Sequence, residues 1–242
     1  MPEPELVVLQ HHPATGPSAF APVLDQRAEL TWRLVDVAAG DELPAPDALA
    51  GLVVLGGPMG VPDRVEHPWM DPELSLLSTA VDLEVPVLGV CLGAQLLATA
   101  LGGAVVRREV PEVGYLPLTR TEAGHADGVA GGWPDGAAML FSHEDEVAAL
   151  PEGAVPLLAG SEGVPAWRCG SAHAVQFHPE VTAAQLGAWR TVLETMLARA
   201  EQDADALLAE AERRERYHRS IGAALLSRWL DVEVLPRRRE AG

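Results

Sequence analysis

Apolar residues in this chain fall into short continuous runs separated by amphipathic stretches. Residues 6–9 and 52–55 are such runs and read as buried strands, with 32–37 a further strand candidate. Ser18 is placed to cap a helix running to about residue 29. Residues 72–84 carry Leu74, Leu77 and Val81 on one side of a helix. Residues 85–90 form another strand, and 96–101 a helix. Apolar strands alternating with helices predict a parallel sheet covered on both faces, a doubly wound α/β fold.

The pattern changes after residue 113. Residues 114–120, 138–142, 155–158, 165–168 and 172–177 are short strand candidates divided by turn-rich segments such as 123–128. No helical spacing interrupts them, which predicts a small antiparallel or mixed β region. Thr182 is a plausible N-cap. A long stretch from about 203 to 230, rich in Ala, Glu, Arg and Leu, reads as a C-terminal helical extension with a solvated face. Residues 237–242 read as a frayed tail. The expected organisation is one domain over 1–200 and the extension over 201–242.

Composition narrows the classes. The chain has 242 residues and is 48% hydrophobic, enough for a sizeable core. Its formal net charge of −18 argues against a nucleic-acid partner, which needs a basic face. All 17 basic side chains are arginine, which excludes a lysine Schiff base and a P-loop lysine. Residues 85–106 carry no charge, but Pro86, Gln95 and four glycines divide them into strand, turn and helix rather than a membrane span. With no signal-peptide pattern and only Cys91 and Cys169, the expectation is a cytoplasmic protein without disulfides or a membrane partner.

The candidate chemistry centres on Gly89-Val90-Cys91-Leu92-Gly93-Ala94-Gln95, between strand and helix. A cysteine flanked by glycines at that junction has the layout of a nucleophile elbow, and the helix N-terminus favours thiolate there. His178-Pro179-Glu180, after an apolar strand, supplies a base and a group to orient it, although alone it reads more readily as a surface turn. The N–H of Leu92 and of Gly57 are candidate oxyanion donors, with Gly56-Gly57-Pro58 also readable as a plain strand-ending turn. Gln95 sits one helical turn beyond Cys91 and faces the pocket edge or the core. Ser142-His143 ends another strand, as a substrate contact or a capped turn. His11-His12 do not converge on an ion, no metal site assembles, and Cys169 lacks an elbow.

Together, Gly-Val-Cys91-Leu-Gly-Ala-Gln95, Leu55-Gly-Gly-Pro58 and Gln176-Phe-His178-Pro-Glu180 resemble the class I, triad-type glutamine amidotransferases. Gly56-Gly-Pro-Met-Gly60 and His67-Pro-Trp69 are similar to the stand-alone subgroup related to the amidotransferase domain of GMP synthase. The resemblance implies Cys91, His178 and Glu180 as catalytic residues and Gly57 and Leu92 as the oxyanion hole. It implies Gln95, Ser142 and His143 as substrate contacts. No cofactor or metal is implied. The implied reaction releases ammonia from glutamine through a γ-glutamyl thioester and passes it to a separate synthase subunit. One departure is Glu144, where family members often carry glycine. It leaves open a stand-alone γ-glutamyl hydrolase or peptidase acting on other γ-glutamyl compounds; a catalytically silent binding module is the third reading.

Overall fold

Alternate residues of the first apolar run pack to opposite sides of a sheet, Leu6 and Val8 into one core and Val7 and Leu9 into another. That is the burial expected of a parallel strand covered on both faces. The computed structural model describes residues 4–160 and 162–240. Among the described residues the strands form one sheet of nine. They are β1 (Glu5–Gln10), β2 (Trp32–Asp36), β3 (Leu49–Val54), β4 (Val87–Val90), β5 (Ala104–Arg120), β6 (Ala137–Ala149), β7 (Val155–Ala159), β8 (Ala166–Cys169) and β9 (Ala172–Val175). The order is β2-β1-β3-β4-β9-β8-β7-β5-β6. The first five run parallel and the rest continue antiparallel.

The uncharged stretch divides as expected, into β4, α3 (Leu92–Ala100) and the start of β5. Helices α2 (Met70–Asp82) and α3 cover one face, with Met70, Leu77 and Leu97 fully buried against Val7, Leu52 and Val87. The other face is covered by α1 (Ala21–Asp25) and α7 (Ala204–Trp229), whose Leu226 and Trp229 join Leu6, Val53 and Leu88 in one cluster. The C-terminal helical segment therefore completes the core of the sheet. A third, smaller cluster joins α5 (Ala183–Ala188) and α6 (Arg190–Arg199) to β5, β6 and the start of α7.

Several expected elements differ in extent. The helix expected over 18–29 is a 3-10 turn, Ser18–Phe20, followed by the five-residue α1. Ser18 does not cap it: its φ is 40°, and its hydroxyl pairs with that of Thr182 at 3.1 Å. Beyond Leu24 the chain offers no further buried side chain until Leu30, so no apolar stripe extends the helix. Strands β5 and β6 far exceed 114–120 and 138–142, because the charged start of β5 pairs with the end of β6 and shows no alternation. Thr121 caps a short helix, α4 (Glu122–Ala126), inside the segment read as turns. Beyond α7 a π-helical turn, Leu230–Val234, leads into α8 (Leu235–Glu240), so residues 237–240 are helical; 241–242 lie outside the described residues. Among the described residues no helix is long and apolar enough to cross a membrane.

Candidate active site

β3, β4 and β9 lie side by side and parallel, so their carboxyl ends open on one edge of the sheet. That is where open α/β sheets place their sites. Cys91 follows β4 directly, with φ 52° and ψ −106°. A positive φ is unfavourable for a side chain with a Cβ. The turn is pinned by Cys91 N–H donating to the Val175 carbonyl at 2.8 Å and Gln95 N–H donating to the Cys91 carbonyl at 3.1 Å. The tight turn also requires Gly93, where a Cβ would stand 2.1 Å from the Val54 carbonyl oxygen. The local sequence thus fixes a strained elbow under the first turn of α3.

The chain leaves β9 through Gln176 and Phe177 and brings His178 over the elbow. His178 N–H donates to the Leu140 carbonyl at 2.8 Å, and the Glu180 carbonyl accepts from Ala19 N–H at 2.9 Å. His178 Nδ1 meets Glu180 Oε1 at 2.9 Å, and both side chains are buried. Gly56 lies against both partners: a Cβ there would be 2.9 Å from His178 Cε1 and 3.5 Å from Cys91 Cβ. Burial alone lowers the basicity of His178, but the charge of Cys91 and the Glu180 carboxylate outweigh it, and the imidazole is held well above its ordinary pKa. Cys91, His178 and Glu180 are thereby brought together from two strand ends.

A cleft of about 220 Å³ opens beside Cys91 and His178, and Gly57, Leu92, Gln95, Ser142 and His143 all line it. The Ser142 carbonyl oxygen lies 3.9 Å from Cys91 Sγ. Gln95 Nε2 donates to the Asp145 carbonyl at 2.8 Å and to Gln176 Oε1 at 3.3 Å, which leaves Gln95 Oε1 as the group it can offer a ligand. Both ring nitrogens of His143 are engaged, by the Asp145 carbonyl and Glu112 Oε2 at 2.9 Å each. Glu144 is ion-paired with Arg199 of α6 at the rim. Arg107 bridges Asp63 at 2.7 Å and Asp145 at 3.0 Å on the opposite rim. Cys169 stands apart at the end of β8, its thiol donating to the Glu152 carbonyl at 3.6 Å.

Sequence reasoning missed several supports of this site. Gln176 Nε2 donates to Cys91 Sγ at 3.6 Å; its place beside His178 in the motif was the available signal. Trp189 packs edge-on to His178 at 5.1 Å, with its indole N–H donating to the Ala14 carbonyl at 2.7 Å. From α7, the buried His218 donates through Nε2 to the His178 carbonyl at 2.9 Å. Gly222, one turn on, lets the helix touch the His-Pro-Glu turn, since a Cβ there would be 1.9 Å from the Pro179 carbonyl oxygen. Nothing local in the sequence marks these two, because their partners are about forty positions away.

A cysteine elbow at one end of the parallel strands and a histidine–carboxylate pair at another give an α/β protein the layout that nucleophilic catalysis uses. Residues 24–190 match the model of the class-I glutamine amidotransferase family, and the chain belongs to that family. It is 35% identical over 161 residues to a subunit of the glutamine-hydrolyzing GMP synthase of Methanoculleus marisnigri, covering 63% of this chain and 80% of that one. It is 38% identical over 135 residues to the glutamine-hydrolyzing GMP synthase of Gloeobacter violaceus, covering 54% of this chain and only 22% of that longer protein. Among solved structures, a glutamine amidotransferase from Methylobacillus flagellatus superposes with a TM-score of 0.83 at 27% identity, covering 95% of this chain and 94% of that one. A glutamine amidotransferase from Thermotoga maritima has the same fold, with a TM-score of 0.82 at 24% identity over 95% of this chain and 99% of that one.

Proposed function

We propose that this protein hydrolyses the side-chain amide of glutamine and supplies the ammonia to a separate synthase subunit. The observation that carries the reading is the convergence of Cys91, His178 and Glu180 beside one cleft. The Cys91 thiolate attacks the amide carbon, and the charge that develops on the carbonyl oxygen is met by the N–H groups of Gly57 and Leu92. His178, oriented by Glu180, protonates the departing nitrogen, so ammonia leaves and a γ-glutamyl thioester remains. His178 then takes a proton from water as it attacks, and returns it to the sulfur as glutamate departs. Gln95, Ser142 and His143 line the substrate pocket, the last two holding the amino-acid end of the substrate through backbone groups. Relatives that are single subunits of GMP synthase support the ammonia-accepting partner. Two free thiols support a reducing, cytoplasmic setting.

A second reading, a γ-glutamyl hydrolase or peptidase, is favoured by the charged rim. Asp63, Arg107, Glu144 and Asp145 extend the cleft beyond Cys91 with groups able to bind an amino-acid leaving group. Glutamate release is to be measured on glutamine and on a panel of γ-glutamyl amides and peptides. Cys91→Ala is expected to lower turnover by at least about 10³-fold; a variant as active as wild type overturns both readings. Preference for peptides without any partner selects the second.

A further inference from the structure

His11 and Glu73 form a buried pair that the proposed reaction does not use. Both side chains are fully buried, and His11 Nε2 lies 3.0 Å and 3.2 Å from the two Glu73 oxygens. Glu73 sits in the first turn of α2, where the helix dipole favours its charge. Trp69 stacks on the His11 ring at 5.2 Å with planes 21° apart. The other nitrogen, Nδ1, faces the Gly56 carbonyl at 3.4 Å. A carbonyl only accepts, so the bond to Gly56 requires a proton on Nδ1. Burial lowers the basicity of His11, but Glu73 and the carbonyls of Gly56 and Leu55 outweigh it and raise its pKa.

We propose that His11 is a positioning residue for the oxyanion turn: fixed by Glu73 and Trp69, its Nδ1–H anchors the Gly56 carbonyl and so aims the Gly57 N–H into the cleft. In a trans peptide the C=O and the following N–H point in opposite directions. Holding the Gly56 carbonyl back toward His11 therefore fixes the Gly57 donor on the far side, where Gly57 lines the cleft with Cys91 and Leu92. The inference rests on the acyl-transfer reading above.

The test exploits the shapes of two amides. In His11→Asn the side-chain N–H replaces Nδ1 and can still reach Gly56. In His11→Gln it replaces Nε2, keeping Glu73 and losing Gly56. Turnover is followed on the γ-glutamyl substrate that wild type hydrolyses. Cys91 is titrated separately with iodoacetamide, whose displacement at carbon builds no oxyanion. His11→Gln is expected to lose kcat at least about tenfold, toward the 10²-fold of a missing oxyanion donor, with KM and alkylation rate within about threefold of wild type; His11→Asn is expected to recover most of the loss. Equal losses in the two His11 variants, joint loss of turnover and alkylation, or wild-type kcat in His11→Gln overturns the inference. An inactive Cys91→Ala beside a fully active His11→Gln removes this inference alone, whereas an active Cys91→Ala removes the reaction beneath it.

Discussion

At the scale of single residues the site is set by which polar groups are buried and what each one meets. His178 stands between a sulfur and a carboxylate, and its charge is favoured by both. His218, one layer out, has the opposite balance. Burial lowers its pKa more than Glu180, the His178 carbonyl and Glu215 raise it, and the edge of the Tyr115 ring packs on it at 5.5 Å. A group with a depressed folded pKa contributes its stability above the unfolded value, and loses it as pH falls and the unfolded chain takes up the proton first. Wild type is therefore expected to lose more Tm than His218→Gln between about pH 7.5 and about pH 5, as thermal unfolding at both pH values will read. Parallel losses would show that His218 does not titrate with folding. Glu144, the departure from the family motif, is countered by Arg199; both are partly exposed, so the pair contributes under about 1 kcal/mol. Its consequence lies in the shape and charge of the rim, not in stability.

At the scale of elements, two close approaches between backbones hold the site. The elbow was legible because Gly89, Cys91 and Gly93 are neighbours in sequence and the strain is local. The support from α7 was hidden, because an Ala-Glu-Arg helix looks alike whether its glycine faces solvent or a carbonyl. Gly222→Ala tests that contact. The added methyl would stand 1.9 Å from the Pro179 oxygen, so either α7 or the His178-Pro179-Glu180 turn must move. Overpacking of this kind typically costs about 1–3 kcal/mol, and because the displaced turn carries His178, kcat is expected to fall along with Tm. Unchanged kcat and Tm would show that the helix yields freely. Strands β5 and β6 were under-read for a related reason: their charged residues find partners across the hairpin and rim, such as Arg107 with Asp145 and Arg108 with Glu146, and this pairing leaves no periodic trace.

At the scale of the whole molecule, the C-terminal segment is part of the core. Trp229 and Leu226 are fully buried with Leu6, Val53 and Leu88. Trp229→Ala is expected to destabilise the protein by about 3–5 kcal/mol, measured by denaturant unfolding, with loss of activity following loss of fold. A change under about 1 kcal/mol would mean that the helix is dispensable to the sheet. The family match ends at residue 190, well before this helix begins. Part of the cover on one sheet face thus comes from outside the matched region, and with it His218 and Gly222 beneath the His-Pro-Glu turn.

The sequence by itself determined the parallel α/β core, the elbow at Cys91 and the triad motifs, because each is written in adjacent residues through period, turn chemistry or strain. Tertiary structure alone decided which polar groups share a buried space: His11 with Glu73, Gln176 with Cys91, His218 with the His178 carbonyl. These contacts join segments tens of positions apart, and their energetics depend on burial and distance, which exist only once the sheet has brought its strand ends to one edge.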